Sequence, residues 1–331
     1  MPDAPQRSFA ALAGVAALMA ALIALPFLAK WAGQPALIPL ASRILIYAIA
    51  AASLNLALGY GGMVSFGHAA FFGLGGYVVG VLYQAYVGDA RVFGLFPGTN
   101  QLLVTLPLAM LVSGALALAI GALSLRTAGV QFIMITLAFA QMLFYLFVSL
   151  KAYGGDDGLI VRRRNVLFDL DARDDATFYF FCLAAATLVF VALWRIVVSR
   201  FGLILGGLRQ NETRMEAIGV APYRYKLAAF VLSGMGAGLA GALMANLLRF
   251  VSPDMLHWTK SGELMIMVIL GGVGTLFGPL LGAAAFIALE TFLTAWTEHW
   301  QLALGPILLV VVLFTRGGLH ALLARLSGRR S

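Results

Sequence analysis

What most constrains this chain is a succession of apolar stretches, each about as long as a bilayer is thick. A helix rises about 1.5 Å per residue and the hydrocarbon core is about 30 Å deep, so roughly 20 mostly apolar residues suffice to cross it. Such stretches run over Phe9–Ala29, Leu37–Leu58, from a glycine cluster to about Val87, Gln101–Leu123, Gly129–Leu150, Thr177–Val198 and Tyr225–Leu248. Gly262–Trp296 has room for two shorter helices, and Gln301–Thr315 is a short last one. The first stretch competes with a cleaved signal peptide, but Phe27 stands where a small residue would precede the cut, so a retained helix is expected. With 62% hydrophobic and 11% charged residues, and mean hydropathy +0.95, the composition leaves no room for a water-soluble domain. The expected fold is all-α, a single polytopic membrane domain of about 8–10 spanning helices with glycine-rich broken or re-entrant segments.

Two stretches are interrupted in similar fashion. The segment L-N-L-A-L-G-Y-G-G-M-V-S-F-G-H-A-A-F-F-G-L-G-G-Y carries Gly61, Gly62 and Gly67, and I-L-G-G-V-G-T-L-F-G-P-L-L-G carries Gly271, Gly272, Gly278 and Pro279. Backbone freed from a helix cannot face lipid, so a break at membrane depth needs protein or a water-filled cavity around it. Paired interruptions in the two halves of a transporter point to a translocation path. The competing reading is close helix packing through small residues. The run Gly234, Gly238, Gly241 fits packing; a clustered Gly-Gly with a nearby proline favours the path at the two breaks. Ser65, Asn55 and Gln131 either line such a path or bond across helices. His68 and Glu290 are ionisable residues near or inside spans and so are functional candidates. Against that, His68 reads equally as a helix-start histidine on a neighbouring carbonyl, and Glu290 as an interfacial carboxylate near Trp296.

A short polar break, R-Q-N-E-T-R-M-E-A-I-G-V-A-P-Y-R over Arg209–Arg224, separates two of the spans. Asn211 is placed to cap a helix by accepting from its first-turn N–H groups, and Glu212 follows where the helix dipole favours an anion. Gly219 and Pro222 end that helix after about two turns. It is too short and too charged to cross a bilayer, and a small helix held between two spans is suited to touching another protein. The other long polar segment, residues 151–176, nearly balances five basic residues against six aspartates. Placing both termini in the cytoplasm puts twelve of the twenty-two Lys and Arg inside, chiefly the cluster from Arg195 to Lys226 and the tail from Arg316. Segment 151–176 is the exception, lying outside with its five basic residues. The net charge of +8 thus reports orientation and not nucleic-acid binding.

Little else in the chain carries chemistry. Four histidines without metal-ligand spacing and a single cysteine, Cys182, give no metal site and no disulfide framework. No glycine is followed by lysine, so the phosphate-binding loop G-x-x-x-x-G-K-[ST] is absent. Energy for active transport would come from an ion gradient or a partner. An ion-coupled secondary transporter would have Glu290 as its acidic candidate, and an intramembrane enzyme lacks its nucleophile–base or metal pair.

The segment L-R-Q-N-E-T-R-M-E-A-I-G-V-A-P-Y-R-Y-K-L-A-A-F-V-L-S-G-M-G-A-G-L-A-G-A-L resembles the cytoplasmic E-A-A…G loop of bacterial ABC importer permeases. Together with the two glycine segments it is most similar to the M-type permeases for branched-chain amino acids, over essentially the whole chain after the first span. The resemblance implies a coupling loop over 199–224 and a periplasmic loop over 151–176 in an inner-membrane protein. Implied partners are a paralogous H-type permease subunit, two cytoplasmic ATPase subunits and a periplasmic substrate-binding protein; no cofactor is implied in this chain, since ATP is used by the partners. It places Glu216, Ala217 and Gly219 on the helix that docks into an ATPase, with Ile218 standing where a second alanine is often found. Arg209, Glu212 and Arg214 belong to the same loop; the two arginines read either as partners for acidic ATPase groups or as inside-facing topology charges. A urea, amide or sugar permease of the same superfamily would share fold and loop. The nearly uncharged interior suits a small hydrophobic or zwitterionic solute.

Overall fold

The computed structural model describes residues 4–89, 91–92, 96–166 and 174–296, with isolated positions between 299 and 321. The last expected span, over 301–315, and the basic tail lie outside the described residues apart from those positions. The architecture is helical: α1 (Ala4–Trp31), α2 (Leu37–Asn55), α3 (His68–Val87), α4 (Leu102–Ser124), α5 (Val130–Ser149), α6 (Asp175–Val198), α7 (Arg200–Gln210), α8 (Glu212–Ala217), α9 (Pro222–Leu248), α10 (Trp258–Gly271) and α11 (Gly278–Thr294). Among the described residues, six helices are long and apolar enough to cross a membrane: α2 with its extension to Tyr60, α3, α4, α5, α6 and α9. Gly262–Trp296 is indeed two shorter helices, α10 and α11, with a break between them.

The helices divide by burial. The spanning stretches of α2 and α9 are 72% buried within the chain and that of α3 67%, whereas α5 and α6 are only 22% buried. The first three therefore form the centre, and the apolar outer faces of α5 and α6 turn away from the chain's own core. Close approach is what lets α9 pack on α2, α3 and α4 at once. A Cβ built on Gly241 would lie 1.7 Å from the Phe72 carbonyl oxygen, and the Cβ of Gly234 would meet Ala117, so only glycine permits these crossings. The packing reading of Gly234, Gly238 and Gly241 is the one the geometry bears out.

At one end of the bundle the polar segment 151–166 folds back onto the protein. Leu159–Ile160 pairs antiparallel with Phe250–Val251, just after α9. The neighbouring Arg164 is buried: its Nε donates to Asn246 O at 3.2 Å, its Nη2 pairs with Asp175 at 2.7 Å, and its guanidinium sits 4.6 Å from the Phe178 ring centre. The Asn165 backbone N–H donates to the Asn246 side chain at 2.9 Å. One arginine expected to be a loop charge is thus a structural clamp between this segment, α6 and α9.

Candidate functional site: two broken helices and a short polar helix

The first break begins as a widened turn. After Asn55 the chain continues as a π-helical segment, Leu56–Tyr60. Its last amides reach back unevenly, Gly61 N–H to Leu56 O at 3.1 Å, Gly62 N–H to Leu58 O at 3.1 Å and Met63 N–H to Ala57 O at 2.9 Å. Gly62, at φ +69°, then turns the chain out of the helix. The polar groups of residues 65–69 are satisfied by neighbouring helices: Phe66 N–H donates to Thr136 of α5, Ala69 N–H donates to Ser261 of α10 at 2.7 Å, and Ser261 donates to Phe66 O at 2.6 Å. Ser65 accepts from Gly67 N–H at 3.1 Å and is buried. The backbone of residues 65–69 is thus satisfied by protein, as an apolar surrounding demands, while Gly62 itself is exposed.

The second break, between α10 and α11, turns through Gly272 at φ +122° and Gly274 at φ +77°. It lies directly against the first. Asn55 Nδ2 donates to Thr275 O at 2.8 Å, and Gly274 N–H donates to Asn55 Oδ1 at 2.9 Å, joining backbone about 220 residues away in sequence. Gly271 and Gly278 let the two half-helices touch, since a Cβ on Gly271 would lie 1.9 Å from Gly278 O. Pro279 occupies the first turn of α11, where its missing N–H costs nothing. The glycine segments are therefore one place in the fold and not two.

The polar helix α8 stands beside them. Asn211 Oδ1 accepts from Arg214 N–H at 2.9 Å, the cap the sequence leads one to expect. Gly219 takes φ +88° just past the helix end, and Pro222 opens α9 rather than only closing α8. The six residues expected to couple sort into two groups. Arg214, Glu216, Ala217 and Gly219 are exposed, as is Ile218. Glu212 instead turns inward to an ion pair with Lys226 of α9 at 2.6 Å. Arg209, at the end of α7, is exposed too but sends its guanidinium to the Gly59 carbonyl in the first break. A cleft of about 260 Å³ opens between this loop, the first break and the α4–α5 turn, lined by Gly61, Gly62, Thr127, Arg209, Glu212 and Lys226 among others.

His68 and Glu290 take different surroundings from those the sequence suggested. His68 is fully buried; its Nε2 shares a hydrogen bond of 2.7 Å with Ser233 of α9, which donates to Ser53 O of α2. Its ring packs edge-on to Phe71 and Phe230. It ties three central helices through a hydroxyl rather than a neighbouring carbonyl. Glu290 accepts from Arg43 of α2 at 2.8 and 2.9 Å and is 16% exposed, so it is a paired carboxylate and not a free interfacial one. Nor is it alone: Glu263 pairs with Lys260 at 2.9 Å, and Lys260 lies within electrostatic reach of Tyr47 and Glu290. The sequence reading missed Arg43 and Glu263, although a charge inside an apolar span is itself the signal that should single them out.

Comparison with known proteins gives consistent results. The family described as "Branched-chain amino acid transport system / permease component" matches residues 36–314. The chain is 27% identical over 329 residues to the high-affinity branched-chain amino acid transport system permease protein LivM of Salmonella typhimurium, covering 92% of this chain and 73% of that one. It is 28% identical over 327 residues to the Escherichia coli LivM, with the same coverage. A shorter likeness, 32% over 146 residues and 40% of each chain, links it to the autoinducer 2 import system permease protein LsrC of Klebsiella pneumoniae. No solved structure matches.

Proposed function

The chain belongs to the branched-chain amino acid transport permease family, a family of membrane-spanning transport subunits, and from that membership we propose that it carries branched-chain amino acids across the bacterial inner membrane as part of an ATP-driven importer. Its partners on this reading are two cytoplasmic ATPases, a periplasmic binding protein and a paralogous permease of H type, with both termini in the cytoplasm. ATP is hydrolysed on the partners. The observation that carries the reading is the capped, exposed helix α8: it offers Glu216, Ala217 and Ile218 outward while Glu212 anchors it to α9. A rigid helix of this kind converts closure of an ATPase pair into tilting of the spans joined to it, because packed interfaces switch between discrete arrangements. The ion-coupled alternative is disfavoured by the carboxylates themselves, since Glu290 and Glu263 are each engaged by a cation. The shorter likeness to an autoinducer 2 import permease favours one second reading, import of a different solute by the same machinery.

Labelled leucine uptake in cells lacking this chain tests the proposal. Uptake is expected to return with the wild type and not with Glu216→Lys, which should still reach the membrane. Wild-type rates in Glu216→Lys would sink the docking role, and return of urea uptake in place of leucine would remove the amino-acid assignment.

A further inference from the structure

We propose that Arg209 is a positioning residue that transmits displacement of α8 to both glycine breaks at once. The inference rests on the importer reading and adds to it where, inside the permease, movement of the loop is received. Arg209 lies in the last turn of α7, two residues before the Asn211 cap, so it stands at the junction through which α8 is joined to α7. Its guanidinium donates to Gly59 O in the first break. Its stem crosses Gly62, where an added Cβ would stand 3.1 Å from Arg209 Cγ, and its Nη1 borders Gly274, where an added Cβ would stand 3.1 Å away. One side chain therefore touches the first break at two points and the second at one. Asn55 then ties Gly274 and Thr275 back to α2.

Two simpler roles fit this geometry poorly. Arg209 is exposed, as Arg214 and Glu216 are, but its guanidinium donates to Gly59 O, a bond that an arginine serving only an acidic group on an ATPase does not need. A charge kept only for membrane orientation needs no particular partner, and lysine would serve as well. One nitrogen, Nη1, both donates to Gly59 O and borders Gly274, and lysine, one bond shorter and ending in a strongly hydrated ammonium, does not carry a donor to that point. The Gly59 carbonyl is available because the π-turn directs the next amides elsewhere, to Leu56, Ala57 and Leu58.

The test uses the complete importer, with its ATPases, second permease and binding protein, reconstituted in liposomes with leucine. Arg209→Ala is expected to co-purify with the ATPases and to leave ATP hydrolysis near the wild-type rate. Leucine taken up per ATP should fall about tenfold, the scale of one charge-assisted hydrogen bond. Arg209→Lys, which keeps the charge, should lose several-fold. A second readout follows the break directly: Val273→Cys in a Cys182→Ala background, exposed beside Gly274, should change its thiol-labelling rate when the ATPases are trapped with vanadate. That change should vanish with Arg209→Ala. Unaltered leucine per ATP in Arg209→Lys would reduce the residue to a topology charge and overturn the proposal; so would loss of ATPase association in Arg209→Ala, the behaviour expected of Glu216→Lys. Failure of the wild-type complex to import leucine would count against the importer reading instead.

Discussion

Asn55→Ala is expected to cost about 2 kcal/mol, and Gly59→Ala to cost the same amount for the same reason. Asn55 closes two hydrogen bonds across the breaks, at 2.8 and 2.9 Å. Interhelical hydrogen bonds in membrane proteins are worth about 0.6 kcal/mol on average and about 1.7 at most, and the Gly274 N–H left without its acceptor adds a desolvation cost. Gly59 acts through the same pair. A methyl built there would fall 2.0 Å from Asn55 Oδ1 and 2.6 Å from Gly274 N. Relieving that overlap moves the amide by about 1 Å, enough to take both contacts out of hydrogen-bonding range. The two substitutions therefore remove one interaction, and the double variant should lose about 2 kcal/mol rather than 4. Thermal unfolding of the purified protein in detergent, compared at one scan rate, reads this as a fall of about 3–4 °C for each single variant and for the double. Additive losses in the double variant, or a neutral Gly59→Ala, would refute the claim that Asn55 and Gly59 form one joint between the breaks.

Three further outcomes follow from the packing and the ion pairs. Gly241→Ala should destabilise by about 3 kcal/mol because its methyl meets the Phe72 backbone, while Gly262→Ala, whose nearest neighbour is 4.0 Å away, should be neutral or gain up to about 1 kcal/mol in the same melts. Arg43→Ala should lower the melting point by leaving Glu290 unpaired at 16% exposure, at a cost of about 2–3 kcal/mol, and the double Arg43→Leu, Glu290→Leu should recover most of it. Arg164→Ala should release segment 151–166 from α9, read as faster proteolysis within it, with a stability cost held to about 2 kcal/mol because Asp175 is 44% exposed.

Helices, breaks and the capped polar helix were legible in the sequence because each rests on local rules. Twenty-residue apolar runs mark the spans, Gly-Gly and Gly-Pro mark the breaks, and Asn211 followed by Glu212 marks an N-terminus. Three-dimensional adjacency was not legible. Nothing local to Asn55 says that its amide meets Thr275, and nothing local to Arg209 distinguishes a side chain turned inward from one turned toward a partner. His68 illustrates the same limit, since its partner Ser233 comes from a helix 165 positions away. Arg43 was legible in principle. An arginine within an apolar span calls for a partner, and Glu290 and Glu263 were the acidic residues in the facing stretch.

The contact between the two breaks has a consequence for any route along them. While Asn55 spans Gly274 and Thr275, and Arg209 holds Gly59, the ends of α2 and α10 beside α8 are joined. On the importer reading, a solute routed along this face would require those contacts to part. They are a few directional polar bonds and not a broad apolar interface, so their separation costs on the order of a few kcal/mol. Elsewhere the same helices are held by contacts that cannot part cheaply, glycine-to-backbone crossings on α9 and the buried His68–Ser233–Ser53 chain. Where α7 and α8 meet the breaks, the described bundle is thus joined by separable polar bonds, and a modest displacement of that loop acts on those bonds directly.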